Sequence, residues 1–216
     1  VQNLKYYYPG QDKPSLNNIS LSINEGEFVL LLGRSGSGKS TLGGVFSKIV
    51  PEFYGGRIGG NIECKTQAGM VFQDPEKQLV MDRVERELAF GLENLGIDSE
   101  VMKKRVMEAL SFMNMWDIKD SKTYQLSGGE KQKVVIGSVA AMGYSFFVFD
   151  EPTSQLDPVS ADEILNIIKR LNEELGYTII LIEQRMDRCF HLADRILFME
   201  EGRIVFDSTP GEFINW

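Results

Sequence analysis

The sequence is poor in the residues that most often hold metal ions. Its 216 residues include one histidine, His191, and two cysteines, Cys64 and Cys189. A single imidazole excludes a multi-histidine metal centre, and the two cysteines lie too far apart in sequence for a metal-ligand spacing. We therefore expect both cysteines to be reduced, as in a cytosolic protein.

Long apolar runs and an excess of basic residues are lacking as well. The longest apolar runs, such as residues 28–32 and 178–182, are far shorter than the ~18 residues that a membrane span needs. We expect neither a membrane span nor a secretory signal at the start of the sequence. The 23 basic and 31 acidic side chains give a net charge of −8. This charge disfavours nucleic acid as a partner, because nucleic acid binds to basic surfaces.

Glycine, by contrast, is plentiful, and apolar runs alternate with helical patterns. The 21 glycines in 216 residues exceed the usual share of ~7%, which indicates glycine-rich loops. Short apolar runs typical of buried strands alternate with helical periodicity, so we predict an α/β fold with a mostly parallel sheet. The predicted strands are residues 28–32, 69–72, 146–149 and 178–182, followed by a hairpin over 196–206; the later predicted helices are residues 100–115, 128–142 and 157–175.

Two local patterns refine this outline. Ile19, Leu21 and Ile23 alternate with serines, which predicts a half-buried strand. A helix that begins near Lys39 is predicted to end at Pro51, because proline cannot continue it.

A phosphate-binding loop is the clearest motif in the sequence. Residues 33–40, GRSGSGKS, fit the pattern G-x-x-x-x-G-K-[ST] between a predicted strand and a predicted helix. Glycines let the backbone curl so that its N–H groups point at phosphate oxygens, and the helix N-terminus adds positive potential. We expect Lys39 to reach the β- and γ-phosphates of ATP and Ser40 to bind Mg²⁺. The predicted nucleotide-binding residues of this motif are Gly33, Ser35, Gly36, Gly38, Lys39, Ser40 and Thr41.

Two carboxylates follow a buried strand further along the chain. Asp150 and Glu151 come directly after the apolar residues 146–149. Ligands of open α/β sheets bind at the carboxyl ends of the strands. We therefore expect Asp150 to hold Mg²⁺ and Glu151 to polarise the water that attacks the γ-phosphate.

The order of the motifs points to a family. Residues 126–130, LSGGE, precede Asp150, and taken alone they are typical of a turn and a helix N-cap. The order of phosphate loop, Gln73, LSGGE, Asp150–Glu151 and Asp157 resembles the ATP-binding-cassette (ABC) ATPases over essentially the whole chain. The resemblance implies one P-loop NTPase domain with N-terminal antiparallel strands, a core lobe (about residues 1–73 and 143–216) and a helical lobe (about residues 74–142).

The resemblance also assigns roles to single residues. Tyr8 matches the aromatic position that stacks on adenine, although the tyrosine run around it also fits an ordinary packed strand. Gln73 matches the glutamine that joins the Mg²⁺ and water site and senses the membrane subunit. Two cassettes pair head to tail in this family, so Ser127 and Gly129 of one chain would close over the ATP held by the other. Asp157 matches the loop that links the two sites.

The stretch around Gln73 narrows the resemblance. Residues 71–79 and 84–96, VFQDPEKQL and VERELAFGLENLG, look like energy-coupling-factor importer ATPases, which take up vitamins, cobalt or nickel. This implies a transmembrane subunit that docks near residues 79–88, although the same stretch fits an ordinary amphipathic helix. It also implies a Mg²⁺-dependent ATPase held at the cytoplasmic face of the membrane by its partners.

The sequence departs from the family pattern in three places. Gln184 stands where the family has a histidine; its amide can donate a hydrogen bond but cannot relay a proton. We therefore predict slow hydrolysis, whether the glutamine is natural or engineered, and a structural role for His191. The segment 61–69 is shorter than in the family, and the chain stops at Trp216, earlier than most importer ATPases. The early end is consistent with half of a tandem two-cassette protein or with a shortened chain.

Two other functions stay as alternatives. The first is an ABC protein that acts on nucleic acid or ribosomes, against which stand the net charge and the absence of a long insertion between Gln73 and Ser127. The second is a low-turnover nucleotide-binding half of an asymmetric cassette pair. Gln184 favours this second alternative, and Glu151 disfavours it.

Overall fold

Strands and helices alternate along most of the chain in the structure, a computed structural model that describes residues 1–216. The strands are β1 (Gln2–Tyr7), β2 (Leu16–Ile19), β3 (Phe28–Gly33), β4 (Arg57–Asn61), β5 (Gly69–Val71), β6 (Phe146–Asp150), β7 (Thr178–Ile182), β8 (Arg195–Glu200) and β9 (Arg203–Ser208). The helices are α1 (Lys39–Phe46), α2 (Ile49–Glu52), α3 (Val84–Asn94), α4 (Ser99–Phe112), α5 (Gly128–Ala141), α6 (Pro158–Glu173) and α7 (Pro210–Asn215). Short 3₁₀ turns lie at Pro75–Lys77, Trp116–Ile118, Thr123–Gln125 and Phe190–Leu192.

A six-stranded sheet has the order β5-β6-β7-β3-β8-β9. β3 pairs in parallel with β7 and β8, and β6 pairs in parallel with β7, whereas β9 is antiparallel to β8. Residues such as Leu30, Phe147 and Leu181 are fully buried. Because these strands are buried on both faces, their sequences are continuous apolar runs. The predicted α/β class with a mostly parallel sheet is confirmed.

A smaller antiparallel sheet, β2-β1-β4, forms near the N-terminus. The predicted strand over residues 19–23 is wrong beyond Ile19, where β2 ends. Leu21 is buried and its neighbours Ser20 and Ser22 are exposed. The alternation therefore correctly predicts which of these side chains are buried and which are exposed to solvent. A strand also needs a partner, and the ladder with β1 stops at the pair of Leu4 and Ile19.

Two compact units divide the chain. The first comprises residues 1–70, 145–151 and 168–216 and contains the small sheet and most of the large one. The second comprises residues 71–144 and 152–167 and is mainly helical.

The helices of the second unit approach one another closely. α3 packs against α4 and α5, and Leu88 and Leu92 of α3 are fully buried. A Cβ on Gly137 of α5 would lie only 3.0 Å from Leu88 Cδ2 and 3.2 Å from Met115 Cε. A glycine at this position therefore allows the close packing of α5.

The ends of two helices differ from the prediction. α1 ends at Phe46 rather than at Pro51, because Lys48 adopts a left-handed φ of +60° that a right-handed helix cannot contain. Pro51 lies in the short helix α2 instead. α6 ends at Glu173, two residues before the predicted end, and Gly176 follows with a φ of +68°.

The rare histidine and cysteines lie outside any cluster of side chains that could hold a metal ion. Cys64 and Cys189 are both free, as predicted. Burial raises the pKa of the Cys189 thiol to about 12. His191 is exposed in a 3₁₀ turn. None of the helices combines the length and the hydrophobicity that a membrane-spanning helix needs.

The packing of α1 against the large sheet leaves no room for a side chain at Gly43. A Cβ there would lie 2.7 Å from Val148 Cγ1 and 3.3 Å from Ile182 Cδ1. We expect Gly43→Ala to lower the free energy of unfolding by about 1–3 kcal/mol, as measured by urea denaturation. The matched control is Gly211→Ala in α7, where a Cβ would meet nothing within 4 Å and alanine favours the helix. Equal destabilisation by both substitutions would contradict the packing argument.

Candidate functional site

The carboxyl ends of neighbouring strands bring several predicted motifs to one edge of the large sheet. β6, β7 and β3 are adjacent, and Asp150 pairs with Ile182 at the ends of β6 and β7. The phosphate loop follows β3, Glu151 follows β6, and Gln184 follows β7 closely. This edge is where open α/β sheets bind their ligands.

Glycines determine the path of the phosphate loop between β3 and α1. Gly33, Gly36 and Gly38 have φ angles of +145°, +77° and +104°, which residues with a side chain rarely adopt. Ser35 is exposed in the same loop. The loop leads directly into α1, whose first N–H groups have no partner within the helix and favour an anion.

Lys39 lies folded against the phosphate loop and is almost fully buried. Its Nζ donates hydrogen bonds to the carbonyl of Gly33 at 2.7 Å and to the carbonyl of Arg34 at 3.1 Å. Burial lowers the pKa of Lys39, and the negative charges of Glu151 and Asp150 oppose this shift. The two carbonyls thus hold the ammonium in place, and the nearby carboxylates favour its positive charge.

Asp150 and Ser40 present oxygen atoms side by side. Ser40 Oγ donates to Asp150 Oδ1 at 3.1 Å. Burial raises the pKa of Asp150 above its ordinary value, and the negative charge of Glu151 also raises it. The hydrogen bond from Ser40 and the positive charge of Lys39 lower this pKa, but the net shift is upward. A hydroxyl and a carboxylate are ligands that Mg²⁺ accepts beside water and substrate phosphates. The donor set is therefore suited to Mg²⁺.

Gln184 is hydrogen-bonded to Glu151. Its Nε2 donates to Glu151 Oε1 at 2.7 Å. Glu151 has a φ of +48°, a conformation that costs a residue with a side chain about 1–2 kcal/mol, and its N–H donates to the Ile182 carbonyl at 2.9 Å. The backbone bond and the amide together set the position of the Glu151 carboxylate. The sequence motifs predict both residues as site residues but not the contact between them.

A cleft of about 700 Å³ lies at the phosphate loop. Tyr8 lines it; its hydroxyl lies 3.1 Å from Thr41 Oγ1, and its ring packs edge-on against Tyr6 with 4.8 Å between centroids. Tyr6 is buried and Tyr8 only half-buried, so Tyr8 can contact a ligand in the cleft. Residues 200–202 also line the cleft. Sequence analysis missed them because a hairpin turn carries no nucleotide-binding motif.

A larger cleft of about 890 Å³ lies at the amino ends of the strands, beside Phe146, Thr178 and Arg195. None of the predicted site residues line it. Because ligands of such sheets bind at the carboxyl ends, the smaller cleft is the candidate ligand site.

The LSGGE segment is ordered by contacts within the second unit. Glu130 N–H donates to Ser127 Oγ at 3.3 Å, and the Glu130 carboxylate accepts from the Ser127 N–H at 2.8 Å. The Ser127 hydroxyl also donates to this carboxylate at 2.8 Å, and the bonds from the Ser127 N–H and hydroxyl lower the pKa of Glu130. A Cβ on Gly129 would lie 2.9 Å from Ser160 Oγ, and the Ser160 hydroxyl donates to the carboxylate of Asp157 at 2.6 Å. The structure thereby connects Gly129 with Asp157.

The segment predicted to dock a membrane subunit also lies in the second unit. Gln73 follows β5 and is exposed, and residues 79–88 form a loop and the start of α3 rather than one helix. Glu87 is buried, and its carboxylate accepts the N–H groups of Val80 at 2.9 Å and Met81 at 2.6 Å. The Val80 side chain is 64% exposed, so this ordered loop presents an apolar side chain to solvent.

Comparisons with known sequences agree with the motifs. Residues 16–154 match the family model described as ABC transporter. An ABC transporter ATP-binding protein of Bacillus thuringiensis is 45% identical over 97% of this chain, and the chain spans only 40% of that relative's length.

Comparisons with solved structures give the same fold. CbiO1 of Clostridium perfringens, described as part of the ABC transporter complex CbiONQ, matches with a TM-score of 0.83 and 31% identity, over 99% of this chain and 91% of its own. The dimeric bacterial ABC transporter cassette MJ0796 matches with a TM-score of 0.78 and 26% identity, over 97% of each chain. A second structure of that cassette, with a TM-score of 0.77 and 24% identity over 97% of each chain, is a post-hydrolysis dimer bound to ADP and Pi.

The raised pKa of Asp150 predicts a pH-dependent effect of removing its charge. The folded carboxyl holds its proton to higher pH than the unfolded one, so its contribution to stability falls as the pH rises above about 3.9, the ordinary aspartate pKa. Asp150→Asn keeps an oxygen acceptor for Ser40 and removes this pH dependence. In urea denaturation without nucleotide, we expect the variant to gain stability relative to the wild type between pH 4 and pH 7. A stability difference that is constant over this range would contradict the prediction.

Proposed function

Because this chain belongs to the ABC transporter family, we propose that it is the ATP-hydrolysing subunit of a membrane importer of the energy-coupling-factor type. The solute in this proposal is a vitamin, cobalt or nickel. Support comes from the importer-like residues 71–96 and from the structural likeness to CbiO1, which is described as part of an ABC transporter complex. In this proposal, partner subunits hold the chain at the cytoplasmic face of the membrane.

One observation carries the proposal: the phosphate loop, Asp150 and Glu151 meet at one edge of the sheet, beside a cleft lined by Tyr8. The loop N–H groups and the Lys39 ammonium bind the phosphates of ATP, and the Tyr8 ring stacks on adenine. Ser40, Asp150 and Gln73 would hold Mg²⁺, which neutralises phosphate charge when bound. Catalysis of phosphoryl transfer rests on this positioning and on charge stabilisation.

Glu151 is the residue proposed to act on the attacking water. A carboxylate at this place polarises the water and accepts its proton. The hydrogen bond from Gln184 and the backbone bond to Ile182 orient the Glu151 carboxylate. The site is therefore equipped for hydrolysis.

A second cassette is proposed to complete the site. Ser127 is exposed at the start of α5, where a hydroxyl and helix N-terminal N–H groups can donate to a phosphate. In a head-to-tail pair, Ser127 and Gly129 of one cassette would close over the ATP of the other, and Asp157 would link the two sites. The dimeric state of the similar cassette MJ0796 supports this arrangement. ATP binding would close the pair, and hydrolysis would reopen it.

The proposed contact with the membrane subunit lies near residues 79–88. Glu87 holds the loop of Val80 and Met81 through two backbone hydrogen bonds, which gives the loop a defined shape. An exposed apolar residue such as Val80 on an ordered loop is suited to a helix of a partner. Gln73 precedes the same loop and would report its occupancy to the nucleotide site.

Substitution of Lys39 and Glu151 separates ATP binding from hydrolysis. Lys39→Ala should weaken Mg-ATP binding about 10- to 100-fold, because it removes charge-assisted hydrogen bonds. Glu151→Gln should bind Mg-ATP but lower turnover about 100-fold or more. Calorimetric titration and phosphate release measure the two effects.

The matched control for the binding experiment is Lys169→Ala, which removes a surface lysine paired with Glu173 and should leave both quantities unchanged. Wild-type protein that neither binds nor hydrolyses Mg-ATP, with and without its partner cassette, would refute the proposed function.

A second candidate, a low-turnover half of an asymmetric cassette pair, is favoured by the bond between Gln184 and Glu151. The neutral amide can hold the carboxylate but cannot take part in proton transfer. In this candidate the chain binds ATP and supports the pair, while its partner carries out most of the hydrolysis.

Gln184→His tests whether the glutamine limits turnover. We expect the variant to hydrolyse Mg-ATP about tenfold faster or more and to acquire a pH-rate limb near the ordinary histidine pKa of about 6.5, which the wild type lacks. His191→Gln is the control, because this exposed imidazole should have no part in the reaction. A Gln184→His variant that is no faster than the wild type would overturn the idea.

A further inference from the structure

The turn between β8 and β9, which we call the hairpin turn (residues 200–202), has a demanding backbone geometry. Glu200 pairs with Arg203 across the ladder, and the residues between them have φ angles of +44° at Glu201 and +76° at Gly202. Two successive positive φ angles are typical of a type I′ turn, which favours glycine. The shape of the hairpin turn therefore depends on Gly202.

Gly202 links the hairpin turn to the phosphate loop and to β2. Its N–H donates to the Ser37 carbonyl at 2.9 Å, and its carbonyl accepts from the Asn17 N–H at 2.8 Å. Gly202 is buried, and a Cβ on it would lie 2.7 Å from the Ser15 carbonyl oxygen and 3.1 Å from the Ser15 carbonyl carbon. A side chain here would force the backbone to move.

The phosphate loop approaches the same backbone atoms. A Cβ on Gly38 would also lie 2.7 Å from the Ser15 carbonyl oxygen, and a Cβ on Gly33 would collide with the carbonyl oxygen of Met199. The contacts join three segments that are distant in sequence: residues 15–17, 33–38 and 199–202. The phosphate loop is thus supported by backbone from outside its own motif.

The hydrogen bond from Gly202 sets the orientation of the peptide between Ser37 and Gly38. In a planar trans peptide, the C=O and N–H groups point in opposite directions. A Ser37 carbonyl that faces Gly202 therefore directs the Gly38 N–H away from the hairpin turn. If this peptide rotated, the loop would exchange an N–H donor for a carbonyl oxygen, which repels a phosphate.

We propose that Gly202 is a positioning residue for nucleotide binding: its N–H holds the phosphate loop in the conformation that binds ATP. The inference rests on the proposed binding of ATP to this loop. Gly202 acts through Ser37 and Gly38, and it provides a single backbone donor rather than a side chain.

The experiment compares Gly202→Ala with Gly176→Ala in the full chain. Both glycines have a similar left-handed φ, +76° and +68°, but a Cβ at Gly176 would meet nothing within 4 Å. Both variants should lose stability from backbone strain. We expect only Gly202→Ala to raise the Kd and the KM for Mg-ATP, by about tenfold, with turnover at saturating ATP changed less than threefold.

A second pair of variants, Gly202→Asn and Gly176→Asn, covers the case in which Gly202→Ala does not fold. Asparagine tolerates the left-handed conformation better than alanine does, but it also carries a Cβ. We therefore expect the Gly202 variant, and not the Gly176 variant, to lose affinity for Mg-ATP here as well. Equal Mg-ATP affinity of the Gly202 and Gly176 variants would overturn the inference while leaving the proposed function intact. The inference would also fail if both Gly202 variants were unfolded while both Gly176 variants folded, since the turn would then serve folding alone. Failure of the wild type to bind Mg-ATP would refute the proposed function itself.

Discussion

The close approach of backbone to backbone at the phosphate loop is the constraint on which the nucleotide site depends. Gly33 lies against the carbonyl of Met199, and Gly38 lies against the carbonyl of Ser15, at distances that leave no space for a Cβ. Glycine is required at both positions for steric reasons and also because both φ angles are positive. The tight path of the loop carries the chain from β3 into α1, and it buries Lys39 against the loop carbonyls.

The electrostatics of the site follow from this burial. Desolvation lowers the pKa of Lys39 and raises that of Asp150, so each charge is less stable here than in water. The charges of Glu151 and Asp150 offset part of this loss for Lys39, and the hydrogen bond from Ser40 and the charge of Lys39 offset part of it for Asp150. A polyphosphate and a divalent cation bring charges of the opposite signs to these two groups. Gln184 contributes no charge and holds Glu151 by a hydrogen bond alone. Under the proposed function, this distribution of charge favours nucleotide binding more than it favours rapid turnover.

The second unit orders the LSGGE segment and Asp157 through its own contacts. Ser127 and Glu130 cap α5 through reciprocal hydrogen bonds, and Gly129 packs against Ser160, which in turn is bonded to Asp157. Such local preorganisation lowers the entropy that closure of a cassette pair would cost. Under the proposed function, each chain thus carries two half-sites that are shaped in advance.

The amino-acid sequence by itself determined the class of fold and predicted most residues of the candidate site. Apolar runs such as residues 146–149 specify buried strands, because a strand that is buried on both faces needs apolar side chains along its whole length. The spacing within residues 33–40 specifies a phosphate loop. Only the tertiary structure decided where β2 stops, that Gln184 bonds to Glu151, and that Gly202 supports the phosphate loop. The physical reason is that the local sequence pattern indicates only the preferred backbone conformation and which side chains are buried. A strand ladder or a hydrogen bond between distant segments also depends on a partner elsewhere in the chain, which no local pattern describes.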